Sequence, residues 1–246
     1  MKELVKRAAL CGAALVMGMT AARAVEIPGK KIDVKVGGDF VSSYIWRGSY
    51  QTGASMQPTL GFSVAGFSLT AWGSTDFRNQ GHKEVDITAA YSIKGFTVAV
   101  TDYSWSPNGA GDYKYFNWQS HETNHYLEGS LTYVLPIEKF PLTINWNTMF
   151  FGADKKANGK TNYSTYVELS YPFSSERLGV DFAAAVGFTP WAAESLYGTD
   201  GFDVCNVSIG ATKKIQFSEK FSMPVFSRLI FNPARNGVYF VVGLTL

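Results

Sequence analysis

The segment that most restricts the possible folds is residues 236–246, in which two kinds of side chain alternate with a period of two. One face carries only apolar side chains: Val238, Phe240, Val242, Leu244 and Leu246. This period predicts a β-strand. A strand with such a face would form an aggregation-prone sheet edge in water. If it pairs with a first strand and closes a barrel, the edge disappears and lipid can cover the apolar face. We therefore predict a β-barrel closed by this segment.

The composition agrees with a barrel more than with membrane helices. Apolar residues make up 46% of the chain and the mean hydropathy is −0.03. Beyond the N-terminus, no apolar run approaches the ~18 residues of a membrane-spanning helix. Aromatic residues reach 15%, a content that barrels use for their interfacial girdles. A soluble, aromatic-rich β-sandwich is the alternative at this level.

Residues 1–24 have the features of a secretory signal peptide, which leaves residues 25–246 as the barrel domain. A basic start is followed by an apolar stretch and then by Ala22-Arg23-Ala24, a small-x-small cleavage pattern. Removing this segment leaves 18 basic and 19 acidic residues, so the formal charge of +2 indicates no nucleic-acid partner. Cys205 is then the only cysteine, which excludes an internal disulfide.

Alternating hydrophobicity predicts twelve antiparallel strands in an up-and-down transmembrane barrel. The predicted strands are 34–46, 56–65, 67–77, 83–92, 96–105, 124–135, 142–152, 162–173, 178–188, 202–213, 221–231 and 236–246. Short turns alternate with longer connections, which include 47–55, 106–123, 153–161 and 190–201. Outer-membrane barrels have short periplasmic turns and long outward loops. An even strand number would place both termini in the periplasm.

Charged residues within the strands fall on the less apolar face, which we predict lines the lumen. A Lys or Arg facing lipid at mid-depth would cost about 2–4 kcal/mol, enough to fix the register. The expected pore-lining residues are Lys35, Asp39, Asp86, Glu128, Glu168, Asp181 and Arg228, with Arg47 near the outer rim. Asp102 shares its face with apolar residues, and we place it at the outer rim. Acids outnumber bases, which predicts a mild cation preference. Twelve tilted strands leave a lumen roughly 12 Å wide.

Two enzymatic interpretations are weaker. His121 to His125 match the H-E-x-x-H pattern of zinc hydrolases. The match runs into a strand and lacks a helical period, and in extended chain the two histidines would lie roughly 13 Å apart, too far to share a zinc ion. A lipid hydrolase would need a serine and a histidine in fixed relation, and no nucleophile elbow is present. We predict neither a catalytic site nor a metal or cofactor.

The stretch Asp39-Phe-Val-Ser-Ser-Tyr-Ile-Trp-Arg-Gly48, with Gln57-Pro58 and Ala71-Trp-Gly-Ser-Thr-Asp-Phe77, resembles the TorF family of porins. That family has an aromatic-Arg-Gly signature near the mature N-terminus. The resemblance covers residues 39–77 and implies an outer-membrane barrel. Arg47 at the end of the first strand would shape the first loop or take part in gating. The closing strand departs from the usual pattern, since it ends in Leu246 where such barrels more often end in Phe.

Together these patterns predict an outer-membrane channel of a Gram-negative bacterium, exported through the periplasm, for passive diffusion of ions or small solutes. Its other expected partners are outer-membrane lipids and the barrel-assembly machinery, which would contact the C-terminal strand. The alternative is a structural or surface-interaction barrel with a blocked lumen. Whether loop 106–123 constricts the lumen stays open at this stage.

Overall fold

The computed structural model describes residues 23–27, 30–106, 113–120, 122–138, 140–219 and 221–246. About 67% of these residues lie in β-strands, and the rest include one short helix and one 3₁₀ turn, Pro233–Arg235. The first strands are β1 (Arg23–Ile27), β2 (Lys30–Val41), β3 (Tyr44–Trp46), β4 (Ser49–Thr52), β5 (Ser55–Val64), β6 (Phe67–Asp76), β7 (Lys83–Ile93) and β8 (Phe96–Ser106). They are followed by β9 (His125–Val134), β10 (Thr143–Gly152), β11 (Thr165–Ser175), β12 (Val180–Thr189), helix α1 (Glu194–Tyr197), β13 (Asp203–Ser218), β14 (Phe221–Asn232) and β15 (Gly237–Thr245).

Within the described residues, β2 and β5–β15 form one antiparallel sheet of twelve strands that closes on itself. From β5 to β15 each strand pairs with its neighbour along the chain. The barrel closes because β2 pairs with β5 on one edge and with β15 on the other. The predicted all-β, up-and-down barrel of twelve strands is confirmed, with β15 as its closing strand.

The closing seam between β2 and β15 is short. It has three register pairs, against nine between β2 and β5. Across it, Thr245 Oγ1 donates to Asp39 Oδ1 at 2.6 Å, and the backbone N–H of Leu246 donates to the Gly38 carbonyl at 2.9 Å. The barrel wall is thus joined here by fewer backbone contacts than elsewhere.

Beside this seam, β1 pairs with the first residues of β2, with Arg23 opposite Val34. Residues 1–22 of the predicted signal peptide lie outside the described residues, and Arg23 and Ala24 begin β1. Cleavage after Ala24 stays a prediction.

Short turns and long loops lie at opposite rims of the barrel. The turn Ala65-Gly66 has φ values of 51° and 87°, and Lys94-Gly95 has 48° and 87°. Positive φ at both central residues defines the type I′ turn, whose twist matches a tight hairpin. We call this end the short-turn rim. The long-loop rim carries the connections 42–54, 77–82, 107–124, 153–164, 190–202 and 233–236. This alternation agrees with the predicted loop pattern.

The two faces of the wall differ in chemistry as predicted. In β15, Phe240 is 65% exposed on the outward face, whereas the next residue, Val241, is 4% exposed on the inward face. Exposed apolar side chains continue around the outside, for example Val98 in β8 and Leu60 in β5. The inward face carries polar and charged side chains, many of them buried. The apolar surface of this barrel therefore faces outward.

The predicted first strand, 34–46, is wrong at its C-terminal end. The wall strand β2 stops at Val41, and a bend at Ser42-Ser43 turns the chain into the barrel. Residues 42–54, which contain the antiparallel pair β3 and β4, form what we call the inner hairpin. Its apolar residue Ile45 packs against an interior cluster of the wall: Val41, Phe226, Ile230 and Val241. A strand period alone could not distinguish a longer wall strand from this inward fold.

Residues 113–120 of the long loop after β8 lie outside the barrel. Residues 113–120, which we call the outer flap, contact the outward face of β8 and β9. Trp118 stacks on His125 with ring centroids 4.0 Å apart. The outer flap therefore does not constrict the lumen.

Of the helices in the described residues, none has the length and apolar content that crossing a membrane would require.

Candidate functional site

The tip of the inner hairpin is a tight turn that fits against the barrel wall. Arg47 and Gly48 have φ values of 48° and 79°, which makes this a third type I′ turn. A Cβ atom on Gly48 would lie 1.9 Å from the backbone oxygen of Cys205 in β13, so only glycine fits. From β14, Asn232 Nδ2 donates to the Gly48 carbonyl at 3.0 Å. The Arg-Gly sequence thus places the tip in contact with β13 and β14.

Arg47 crosses the interior and forms a buried ion pair with Glu128 in β9. Its Nη1 donates to Glu128 Oε2 at 2.6 Å, and its Nη2 donates to Oε1 at 2.8 Å. The side chains are 12% and 1% exposed. Two parallel hydrogen bonds between guanidinium and carboxylate are the strongest arrangement for this pair. Arg47 Nη1 also donates to the hydroxyl of Tyr197 in α1 at 2.6 Å. Three separate segments therefore meet at one guanidinium.

Two aromatic rings lie against the guanidinium. Its central carbon lies 4.6 Å from the ring centroid of Trp46 and 4.7 Å from that of Tyr166 in β11. Such cation–π contacts are strongest where water is excluded. Trp46 also packs edge-on against Tyr103 in β8 at 5.7 Å and stacks on Tyr197 at 5.7 Å. We call Trp46, Arg47, Tyr103, Glu128, Tyr166 and Tyr197 the Arg47 centre.

Two groups of this centre, Arg47 and Tyr197, keep their protonation state as the pH changes. Burial alone would lower the pKa of Arg47, but the carboxylate of Glu128 outweighs it and holds that pKa well above its ordinary value. Burial raises the pKa of Tyr197, against a smaller opposing effect of Arg47. Arg47 is therefore cationic and the Tyr197 hydroxyl protonated at any physiological pH.

The inner hairpin contacts the wall on several sides. The ring of Tyr44 packs on that of Trp72 in β6, with their centroids 5.5 Å apart. The ring of Tyr50 stacks on that of Tyr239 in β15, with their centroids 6.4 Å apart. Together with the contacts to β8, β9, β11, β13 and β14, these fill much of the interior toward the long-loop rim. Toward the short-turn rim the inward residues are half-buried and polar, for example Thr97 in β8. The interior thus consists of a filled half and a polar half.

The other predicted inward residues lie around the wall, where Asp39 interacts electrostatically with Lys35 and Arg228, and Glu168 with Arg228. Asp39 is buried beside Thr245. Glu168 accepts hydrogen bonds from the Tyr166 hydroxyl at 2.5 Å and from Asn206 at 3.2 Å.

The four remaining predicted residues differ in how deeply they are buried. Arg228 lies half-buried with its guanidinium 4.9 Å from the ring of Phe226. Asp181 is exposed near the short-turn rim, where it accepts a hydrogen bond from Ser174 at 2.5 Å. Lys35 is half-buried on β2, and Asp86 is buried on β7. Only Arg47 and Glu128, of the predicted set, form an ion pair within the described residues.

Sequence reasoning missed the aromatic members of the Arg47 centre. Tyr103 and Tyr166 have inward parity and could have been found by extending the alternation used for the charges. Glu84 also shares the inward face of Asp86. Tyr197 belongs to α1, whose entry into the barrel has no periodic signal.

Asp102 and His125 form a second cluster, on the outward face under the outer flap. His125 Nδ1 lies 2.7 Å from Asp102 Oδ1, and its Nε2 contacts the Tyr115 carbonyl. Both ring nitrogens are therefore engaged, and neither contacts a serine. His121 of the H-E-x-x-H match lies outside the described residues. Among those that are described, no three His, Cys, Asp or Glu side chains are placed to hold a metal ion.

No family model and no curated protein match this sequence. Among solved structures, the chain is similar to a crystal structure of a doubly substituted OccD1 (OprD), with a TM-score of 0.39 and 10% sequence identity. That alignment covers 95% of this chain and 71% of the other. A likeness of this size indicates neither a substrate nor a mechanism.

Proposed function

We propose that the chain is an outer-membrane channel for passive diffusion of ions or small solutes, in which the inner hairpin acts as the gate. The main evidence for this proposal is that the interior has two halves. Polar side chains line the half toward the short-turn rim. The inner hairpin fills the half toward the long-loop rim, where its Arg47 pairs with Glu128. A dry structural core would have little reason to place charges such as Glu168 and Arg228 inside the wall.

The outward surface supports the membrane location. A closed barrel pairs its wall strands with each other, so its exposed apolar band can face hydrocarbon. The resemblance of residues 39–77 to TorF porins points the same way. Export through the periplasm and insertion through the C-terminal strand belong to this proposal, as do lipids and small solutes as partners.

The ion preference follows from the inward charges. Five of the predicted inward residues are acidic and three are basic: Asp39, Asp86, Glu128, Glu168 and Asp181, against Lys35, Arg47 and Arg228. An excess of acid in a narrow lumen raises the local concentration of cations. We therefore propose a mild preference for cations when the hairpin is displaced.

Planar-bilayer recording tests this function. Purified protein should give discrete conductance steps in KCl. In a salt gradient, its reversal potential should have the sign expected of a channel that prefers cations. A variant in which residues 43–53 are replaced by a short Gly-Ser linker should conduct more and for longer. Liposome swelling with solutes of graded size would then define the cut-off.

A barrel with a permanently blocked lumen is the second candidate, favoured by the near-complete burial of Glu128, Tyr166 and Tyr197. It predicts no steps from the wild-type protein at any voltage, although the linker variant conducts. Silence in both proteins, with the fold intact, would overturn the channel proposal and the gating role together.

A further inference from the structure

Two acidic side chains lie next to each other on the inward face of β7, beside the Arg47 centre, since Asp86 is the register partner of Tyr103. Glu84 is 2% exposed and Asp86 is 8% exposed. Both carboxylate oxygens of Glu84 and Oδ1 of Asp86 have no hydrogen-bond partner among the described residues. Buried carboxylates are normally paired or bound to a cation, because leaving water costs an unpaired charge heavily. The two carboxyl groups are close enough to interact with each other, so they need either a shared proton or a positive partner.

A third oxygen faces the same point from the neighbouring strand. Ser74 of β6 is the register partner of Glu84, so their side chains lie on the same face. It is 5% exposed, and its Oγ is also without a hydrogen-bond partner in the described chain. The phenol of Tyr44, from the inner hairpin, interacts electrostatically with both carboxylates. Two strands and the hairpin thus direct oxygen atoms toward one place.

Nearby cations do not balance these charges. Arg47 is already paired with Glu128. His82 Nε2 is 3.7 Å from Glu84 Oε2, beyond hydrogen-bonding distance, and its side chain is a quarter exposed. The charged groups that act on Asp86 are Glu84, Asp102 and Glu128, all of them acidic. At most one imidazolium therefore faces two carboxylates.

We propose that Glu84, Asp86 and Ser74 form a binding site for a hard cation, with Ca²⁺ as the fitting ion. The ligand atoms that Glu84, Asp86 and Ser74 offer are oxygens, which Ca²⁺ prefers over nitrogen or sulfur ligands, and water can complete its coordination. Within the described residues, two unpartnered nitrogens lie beside them: Nε2 of His82, and Nε1 of Trp105, the register partner of Glu84. A cavity of about 360 Å³ at the long-loop rim is lined by His82, Trp105 and residues of the inner hairpin, and His82 and Trp105 are neighbours of Glu84. It gives the ion a route from the medium.

Bound Ca²⁺ would also stabilise the base of the inner hairpin, because Tyr44 interacts with the same carboxylates. Binding to the folded state alone raises stability by mass action. The site does not depend on conduction, so its test is separate from that of the channel.

Ca²⁺ binding is measured on purified protein folded in detergent and stripped with EGTA. Titration calorimetry should give one site per chain, and added Ca²⁺ should raise the Tm. Glu84→Gln and Asp86→Asn should each weaken Ca²⁺ binding beyond the roughly 10- to 100-fold typical of outer-shell substitutions, and Ser74→Ala by less. Asp181→Asn, an inward acid at the opposite rim, is the matched control and should bind as the wild type does.

Three results would overturn the proposal. The first is that the wild type binds no Ca²⁺ and that Ca²⁺ does not change its Tm, while its stability depends on pH. Glu84 and Asp86 would then share a proton in place of a metal ion. The second is loss of stability in His82→Gln without any effect of Ca²⁺, which assigns the imidazolium as counter-ion. The third is equal Ca²⁺ binding by wild type and Glu84→Gln, which places the ion elsewhere.

Discussion

Replacing Arg47 by alanine should release the inner hairpin. Glu128 would lose both guanidinium hydrogen bonds, at 2.6 and 2.8 Å, and would keep the Tyr103 hydroxyl at 2.9 Å as a donor. Removing one partner of a buried ion pair costs about 3–5 kcal/mol. A displaced hairpin lets water reach Glu128, which relieves this cost in the open state only. We take the lower value, about 3 kcal/mol, which corresponds to roughly 150-fold in the open-to-closed ratio because 1.36 kcal/mol is tenfold.

Single-channel recording measures that ratio directly. Arg47→Ala should be open for most of a recording in which the wild type opens rarely. The double variant Arg47→Ala/Glu128→Ala should open less than the sum of the single effects predicts, since no unpaired charge is left in the closed state. Arg228→Ala is the matched control: it removes an inward arginine from the wall and should leave the open fraction unchanged.

Equal open fractions in Arg47→Ala and the wild type would refute this reasoning, provided that circular dichroism shows an intact barrel in both. An increase of the same size in Arg228→Ala would also refute it, because the effect would then come from lumen charge and not from the hairpin.

Three further predictions concern separate parts of the barrel. Gly48→Ala should displace the hairpin tip and raise the open fraction, whereas Gly159→Ala, which has the same sign of φ but nothing within 4 Å of its Cβ, should not; equal behaviour would contradict the close packing of the tip. Asp102→Asn should loosen the outer flap by removing the carboxylate beside His125, so chymotrypsin should cut residues 113–120 faster; an unchanged cleavage rate would count against that contact. Phe240→Lys should lower the free energy of unfolding in lipid vesicles by about 2–4 kcal/mol, as for a lysine facing hydrocarbon at mid-depth; urea titration measures it, and unchanged stability would mean that this face does not meet lipid.

The wall of the barrel could be predicted because alternation is a local property of the chain. Each strand shows its own period of two, and the turns Ala65-Gly66 and Lys94-Gly95 each contain a glycine, which suits positive φ. The positions of the charged side chains then indicated which face of each strand points inward. Only the ends of β2 and β13 differ markedly from the prediction, and β13 continues to Ser218 as a rim extension.

The inner hairpin could not be predicted in the same way, because its partners are distant in sequence. Arg47 and Glu128 are 81 residues apart, and nothing near either residue specifies the other. The segment Tyr44–Trp46 continues the strand period of β2, so its sequence predicts a longer wall strand. Its inward turn depends on the bend at Ser42-Ser43 and on the fit of Gly48 against β13, which are tertiary effects.

The short seam between β2 and β15 makes the cylinder mechanically uneven. Amide hydrogens are protected by the free energy of local opening, and three register pairs resist opening less than the eleven between β13 and β14. Hydrogen–deuterium exchange should therefore begin at the amides of Leu246 and Ser42, and the wall should unzip along this line under denaturant. At this seam β2 and β15 would separate laterally from each other while the other strands of the barrel stay paired.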